Sequence, residues 1–244
     1  MARKLKAGVV GATGMVGQRF VALLENHPLF DLVAVAASAN SAGKTYAQAV
    51  EGRWAMSTPV PAGVAKLTVL DASNVAQVAA QVDFIFCAVD MPKDETLKLE
   101  EAYAKAEIPV VSNNSAARGL PDVPMLLPEL NHAHLAVLPA QRARLGTKRG
   151  CIVVKPNCSL QSYVPALSPL MDFGIERVTV CTYQAISGAG KTFASWPEMV
   201  DNVIPFIKGE EDKSELEPMK IWGVVKDGTI VNAVSPRITA QCIR

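Results

Sequence analysis

Cys158 closes the run Cys151-Ile-Val-Val-Lys-Pro-Asn-Cys-Ser159, where an apolar strand gives way to what reads as a helix. The first turn of a helix presents unpaired N–H groups and a partial positive charge, which favour thiolate over thiol. Pro156 stops a strand ladder and turns the chain just before the sulfur. The competing reading of Cys158 is a small buried hydrophobe, the commoner fate of a cysteine. A second chemical signal lies upstream. Gly11-Ala-Thr-Gly14-Met-Val-Gly17 follows a strand and opens a helix, the setting in which glycines let a backbone approach a dinucleotide pyrophosphate. Its alternative is a merely structural strand-to-helix turn. A cofactor loop and a nucleophilic cysteine together point to a dehydrogenase that takes an aldehyde or acyl group through a thioester.

Other polar clusters follow strands. After the second strand the chain reads Ala36-Ala-Ser38-Ala-Asn-Ser41-Ala-Gly-Lys44, with no carboxylate before Glu51. An NAD site usually places an acidic residue there for the ribose 2′-hydroxyl. Ser38, Ser41 and Lys44 instead offer donors and a positive charge, which suits the 2′-phosphate of NADP; a solvated loop is the alternative. Asn113-Asn114-Ser115-Ala116-Ala117-Arg118 follows another strand, and Arg118 is able to hold a phosphate or carboxylate bidentately or to be a plain surface arginine. Gln184 ends a strand before the flexible turn Ser187-Gly188-Ala-Gly190. Glu210-Glu-Asp-Lys213 reads by default as a solvated helix start, and Arg244, as the last residue, as frayed.

The elements that must position these residues are short apolar strands at 5–12, 32–37, 67–71, 83–89 and 108–112, with helices over 15–26 and 94–106. This alternation predicts βαβ units and a parallel sheet. Residues 119–128 read as a connector. A helix over 159–173 ends at Gly174, with Pro165 expected to kink or restart it. From 177 the text turns β-rich, at 177–187, 229–234 and 238–243. The fold class expected is therefore α/β: a Rossmann-like parallel-sheet domain over 1–150, then an α+β domain over 151–244 with a mixed or antiparallel sheet. The 244 residues, half of them apolar, suffice for one large or two modest cores. A net charge of +1 leaves no footprint for nucleic acid or an acidic membrane. Five cysteines without ligand spacing predict a reducing compartment, with neither a disulfide framework nor a zinc site. With no signal peptide and no apolar run of membrane length, a cytoplasmic protein is expected.

Five ordered motifs carry a resemblance: Gly11-Ala-Thr-Gly-Met-Val-Gly-Gln18, Lys155-Pro-Asn-Cys-Ser159, Gln184-Ala-Ile-Ser-Gly-Ala-Gly190, Gly209-Glu-Glu-Asp-Lys213 and Ala240-Gln-Cys-Ile-Arg244. Together they resemble the aspartate-semialdehyde dehydrogenases of the archaeal and fungal-like branch, over essentially the whole chain. The resemblance implies reversible NADP-dependent conversion between aspartyl β-phosphate and aspartate semialdehyde, at the branch to lysine, threonine and methionine. It implies Cys158 as nucleophile, Asn157 and nearby backbone as oxyanion donors, and Gln184 orienting the substrate. It further implies Glu210 for the substrate ammonium, Arg244 for its α-carboxylate, and Arg118, Asn114 and Lys213 for phosphate. Gly11, Thr13, Gly14, Met15, Val16, Gly17, Ser38, Ser41, Lys44, Ser187 and Gly188 would hold the cofactor, in a homodimer or homotetramer. The family's general acid/base histidine, which follows the substrate arginine, has no counterpart: His27, His132 and His134 do not match it and read as surface or helix-end residues. Lys191 and Pro165 are smaller departures. On this reading the chain looks like a truncated member whose own activity would be impaired. Two alternatives are a related acyl reductase acting on N-acetyl-glutamyl phosphate or malonyl-CoA, and an inactive NADP-binding fragment. A free ammonium for Glu210 argues against an acetylated substrate.

Overall fold

The computed structural model describes residues 3–244. Among them the elements run β1 (Leu5–Val10), α1 (Met15–Leu23), β2 (Phe30–Ala37), α2 (Tyr46–Val50), α3 (Ala62–Ala65), β3 (Val69–Asp71), α4 (Val75–Ala79), β4 (Phe84–Cys87), α5 (Lys93–Lys105) and β5 (Val110–Ser112). There follow α6 (Pro128–Asn131), α7 (Leu138–Leu145), β6 (Ile152–Val154), α8 (Leu160–Leu167), β7 (Arg177–Tyr183), α9 (Glu210–Ile221), β8 (Val224–Lys226), β9 (Thr229–Val231) and β10 (Arg237–Ile243). Contacts divide the chain into two units. One holds the chain up to Pro124 together with Val137–Lys155, and the other Met125–Ala136 with Pro156–Arg244.

The first unit is built on one parallel sheet in the order β3-β2-β1-β4-β5-β6. Its strands are short apolar runs because helices cover both faces, so no alternation with polar residues is needed; β1 and β2 each end in four buried residues. The order reverses between β1 and β4, and in such sheets ligands bind where the carboxyl ends of those strands diverge. Two buried tyrosines find carbonyl partners: Tyr46 Oη donates to Ala12 O and Tyr103 Oη to Ala72 O. The free edge of β6 is closed by a side chain. Gln141 on α7 accepts the Ile152 N–H and donates to the Ile152 carbonyl, as a neighbouring strand would. The helices that follow the expected connector, α6 and α7, escape sequence reading. Their faces bury amides such as Asn131 and Gln141 rather than an apolar stripe.

In the second unit the β structure is divided. β7 pairs in parallel with β10, from Arg177 opposite Arg237 to Tyr183 opposite Ile243, while β8 and β9 form an antiparallel hairpin. The hairpin turns on Asp227-Gly228, both at positive φ, the pair favoured in tight hairpin turns. The helix expected over 159–173 is α8 followed by a 3₁₀ segment, Ser168–Phe173, ended by Gly174 in the left-handed region. α9 carries Pro218 inside it. Proline has no N–H, so the Ser214 carbonyl one turn back loses its helical donor. Tyr163 Oη supplies the replacement at 2.7 Å. His134 is not the surface residue expected. It is buried, with Asn131 Nδ2 donating to Nδ1 at 3.2 Å and Nε2 bonded to the Gly223 carbonyl at 2.9 Å. His132 is exposed and His27 half-buried, as helix-end residues should be.

Candidate active site

In the first unit, β1 ends where Gly11 turns at φ +87°. A Cβ on Gly11 would lie 2.3 Å from the Ala88 carbonyl after β4, and one on Gly17 would lie 2.1 Å from the Gly11 carbonyl. Only glycine lets these backbones meet, and the resulting cradle opens at the start of α1, whose N-cap is Gly14. The first N–H groups of a helix lack internal partners and face an anion favourably. Gly14, Val16 and Ser38 are exposed and Thr13 and Met15 half-buried, so this loop fits a dinucleotide. The loop is braced from behind: Gln18 Nε2 donates to the Thr13 and Arg53 carbonyls, each at 3.0 Å. Ser41 departs from expectation. It is buried, and its hydroxyl accepts a bond from Arg53 Nη2 at 3.2 Å. Arg53 was missed in the sequence because it lies beyond the loop that follows β2. It brings a second cation, after Lys44, to the region where a 2′-phosphate would sit. Lys44 is exposed.

The loop after β5 carries Asn114 and Arg118. Arg118 is largely buried, with Nη2 donating to the Asn113 carbonyl at 3.2 Å. The Asn114 main-chain N–H donates to Ser112 Oγ, and its Nδ2 donates to Glu100 Oε1 at 3.0 Å. Glu100 is fully buried and also takes the Ser112 hydroxyl on Oε1, while Oε2 has no hydrogen-bond partner. Burial pushes the Glu100 carboxyl above its ordinary pKa, against the opposing pull of the Ser112, Asn114 and Cys87 bonds.

The second unit assembles most of the remaining residues. Cys158 is exposed, one residue before the Ser159 N-cap of α8. It lines a cavity of about 640 Å³ together with Gln184, Ser187 and Gly188. Gln184 Oε1 accepts from Arg244 Nη2 at 3.3 Å, and Arg244 Nε donates to the Ala185 carbonyl. A side chain on Gly188 would lie 3.0 Å from that guanidinium. Arg244 is tied down at the main chain too, exchanging two backbone bonds with Ile204. Glu210 Oε1 pairs with Lys213 Nζ at 2.5 Å and Oε2 accepts from Asn157 Nδ2 at 2.9 Å. Burial raises the Glu210 pKa, but the bonds from Lys213, Asn157 and Gln184 outweigh it and hold the carboxylate below its usual range. Asn157 is more engaged than an oxyanion donor is expected to be. Besides Nδ2 on Glu210, its Oδ1 accepts from the N–H and hydroxyl of Ser159. The arrangement offers an exposed thiol, a cation and a carboxylate–ammonium pair around one amide, Gln184, which suits a small substrate carrying both signs of charge.

Comparisons with known proteins agree with this chemistry. Residues 6–138 match the family model "Semialdehyde dehydrogenase, NAD binding domain", and residues 167–244 match "Semialdehyde dehydrogenase, dimerisation domain". The chain is 40% identical to the aspartate-semialdehyde dehydrogenase of Archaeoglobus fulgidus, covering 99% of this chain and 68% of the relative. It is also 40% identical to that of Cryptococcus neoformans, covering 99% and 67%. A crystal structure of aspartate semialdehyde dehydrogenase with NADP from Candida albicans superposes with a TM-score of 0.85 at 35% identity, covering 99% of this chain and 68% of that one. The chain thus spans about two thirds of the length of these relatives.

Proposed function

The chain belongs to the aspartate-semialdehyde dehydrogenase family, and from that premise we propose that it interconverts L-aspartyl 4-phosphate and L-aspartate 4-semialdehyde with NADP through a thioester on Cys158. The reaction would serve lysine, threonine and methionine biosynthesis. The observation that carries this reading is the exposed Cys158 in one cavity with Gln184, itself bonded to Arg244. Arg244 suits the substrate's α-carboxylate as a planar donor fork. Glu210 suits its ammonium. In the free protein Glu210 is neutralised by Lys213. A substrate bearing an ammonium and a phosphate can replace that pair charge for charge, the ammonium on Glu210 and the phosphate on Lys213.

The Cys158 thiolate attacks the acyl carbon of the substrate. A C–S bond forms, the C–O bond to phosphate breaks, and its electron pair leaves with the phosphate. The Gly11–Gly17 loop, Ser38, Lys44 and Arg53 would hold NADPH, whose chemistry would be to supply the hydride that reduces the acyl group. The backbone N–H groups at the start of α8 stabilise the negative oxygen that develops beside the sulfur. The C–S bond then breaks, and the pair returns to Cys158 as the aldehyde leaves. Gln184 holds the reacting group against the sulfur, since its amide is fixed at both ends by Arg244 and by Thr182 Oγ1. The match of residues 167–244 to a dimerisation domain supports a homodimer or a tetramer of such dimers, which sedimentation of the purified protein would read directly.

The test is phosphate-dependent reduction of NADP on L-aspartate 4-semialdehyde, with the wild-type protein and Cys158→Ala. The expected result is turnover that is slow, as the absence of a counterpart to the family's acid/base histidine implies, that requires phosphate and that vanishes in the variant. Turnover that survives in Cys158→Ala, or that is indifferent to phosphate, would contradict the reading.

A further inference from the structure

The cysteine turn is gripped from α9, at helical spacing. Glu210, Ser214 and Glu217 recur at i, i+4 and i+7, so they share one face of the helix. Glu210 takes the Asn157 side-chain amide, and Ser214 Oγ lies 3.3 Å from Ser159 Oγ. The third contact differs in kind. Glu217 Oε2 accepts the main-chain N–H of Asn157 at 2.7 Å. That N–H belongs to the residue bonded directly to Cys158, and Asn157 is buried. The Lys155 N–H after β6 is spent on the Ser112 carbonyl and Pro156 has no N–H to offer, so the Asn157 N–H is the next main-chain donor at the turn. A buried main-chain N–H with no acceptor is strongly disfavoured, so loss of the carboxylate would make the turn re-pack.

We propose that Glu217 is a positioning residue for the nucleophile: by accepting the Asn157 N–H it sets the direction in which the Cys158 sulfur enters the cavity beside Gln184. The proposal rests on the reading of Cys158 as nucleophile. It adds a residue to which neither the sequence motifs nor the family resemblance gives a role. The contact asks for an acceptor oxygen at the end of a side chain of this length. It does not ask for a negative charge. Glutamine therefore preserves it, aspartate falls short by one methylene, and alanine removes it.

The experiment compares Glu217→Ala, Glu217→Asp and Glu217→Gln with the wild-type protein. It measures kcat, KM for aspartate semialdehyde, and the rate at which iodoacetamide alkylates Cys158, read by mass on the peptide that contains it. Misplacement of a reacting group by about an ångström costs up to about 100-fold in rate. Glu217→Ala and Glu217→Asp are expected to lose about 10- to 100-fold in kcat and to change the alkylation rate of Cys158. KM should stay near its wild-type value, and Glu217→Gln should restore both rates. Should Glu217→Ala fail to fold, Glu217→Asp carries the test. Wild-type kcat and alkylation in Glu217→Asp would overturn the proposal, as would a glutamine variant no better than aspartate. Alkylation needs no turnover, so it separates failure of this proposal from failure of the proposed reaction.

Discussion

At the scale of single residues, the protein commits polar side chains to fixing other polar groups, and Glu100 is the costliest case. It sits fully buried, with Oε1 holding Ser112 and Asn114 and the Cys87 thiol also against the carboxyl. Its pKa in the folded protein is raised above the ordinary value of 4.5. The unfolded chain therefore releases this proton at lower pH than the folded one. Stability linked to Glu100 is complete below pH 4.5 and is lost as pH rises from there toward the folded pKa. In Glu100→Gln the amide oxygen can still accept both bonds and no proton is lost. The melting temperature of Glu100→Gln relative to wild type should accordingly climb as pH rises above 4.5 and level off past the raised pKa of the folded protein. Parallel melting curves over that range would show that Glu100 does not titrate as described.

Elements, rather than residues, decide where chemistry is possible. The strand-to-helix turn from β1 to α1 works because Gly11 and Gly17 leave no side chain between three stretches of backbone. Gly17→Ala would place a carbon 2.1 Å from the Gly11 carbonyl, far inside van der Waals contact. The loop must then open, and NADP binding measured by fluorescence should fall by at least an order of magnitude, while alkylation of Cys158 stays unchanged. Unaltered NADP affinity would remove this loop from the cofactor site. α9 shows the same logic with charge. Beyond the face that grips the cysteine turn, Glu211 and Glu215 accept the main-chain N–H groups of Cys242 and Ala240 at 3.0 Å each. These carboxylates do for β10 what a neighbouring strand would do, and Arg244 directly follows the last residue of β10, Ile243. One helix thus anchors both the turn that carries Cys158 and the strand that leads into Arg244, and the run Glu210-Glu-Asp-Lys213, which reads as a solvated helix start, is an organising element.

Across the whole molecule, much of the first unit was legible because its signals are local. Short apolar runs marked β1 to β5, and good helix formers marked α5 within a residue of its observed ends. The glycine turn before α1 and the cysteine turn before α8 were legible as local structure for the same reason, since each is written in a few consecutive residues. What escaped was made by distance in sequence. Glu217 meets Asn157 across 60 positions, and His134 meets the Gly223 carbonyl across 89. Neither α7 nor Arg53 shows a periodicity or a motif to mark it. Lines of exposed apolar side chains in the second unit, among them Phe173, Tyr183 and Val234, agree with a unit that matches a dimerisation domain. No helix among the described residues is long and apolar enough to cross a membrane.

The central claim is that Cys158 carries the acyl group. The most direct measurement is the mass of the protein after brief exposure to L-aspartyl 4-phosphate without NADPH, followed by peptide mapping. The account predicts one aspartyl adduct per chain, on the peptide containing Cys158, removed by hydroxylamine and absent from Cys158→Ala. An adduct on any other residue, or release of phosphate with no adduct while Cys158 remains free to alkylate, would contradict it.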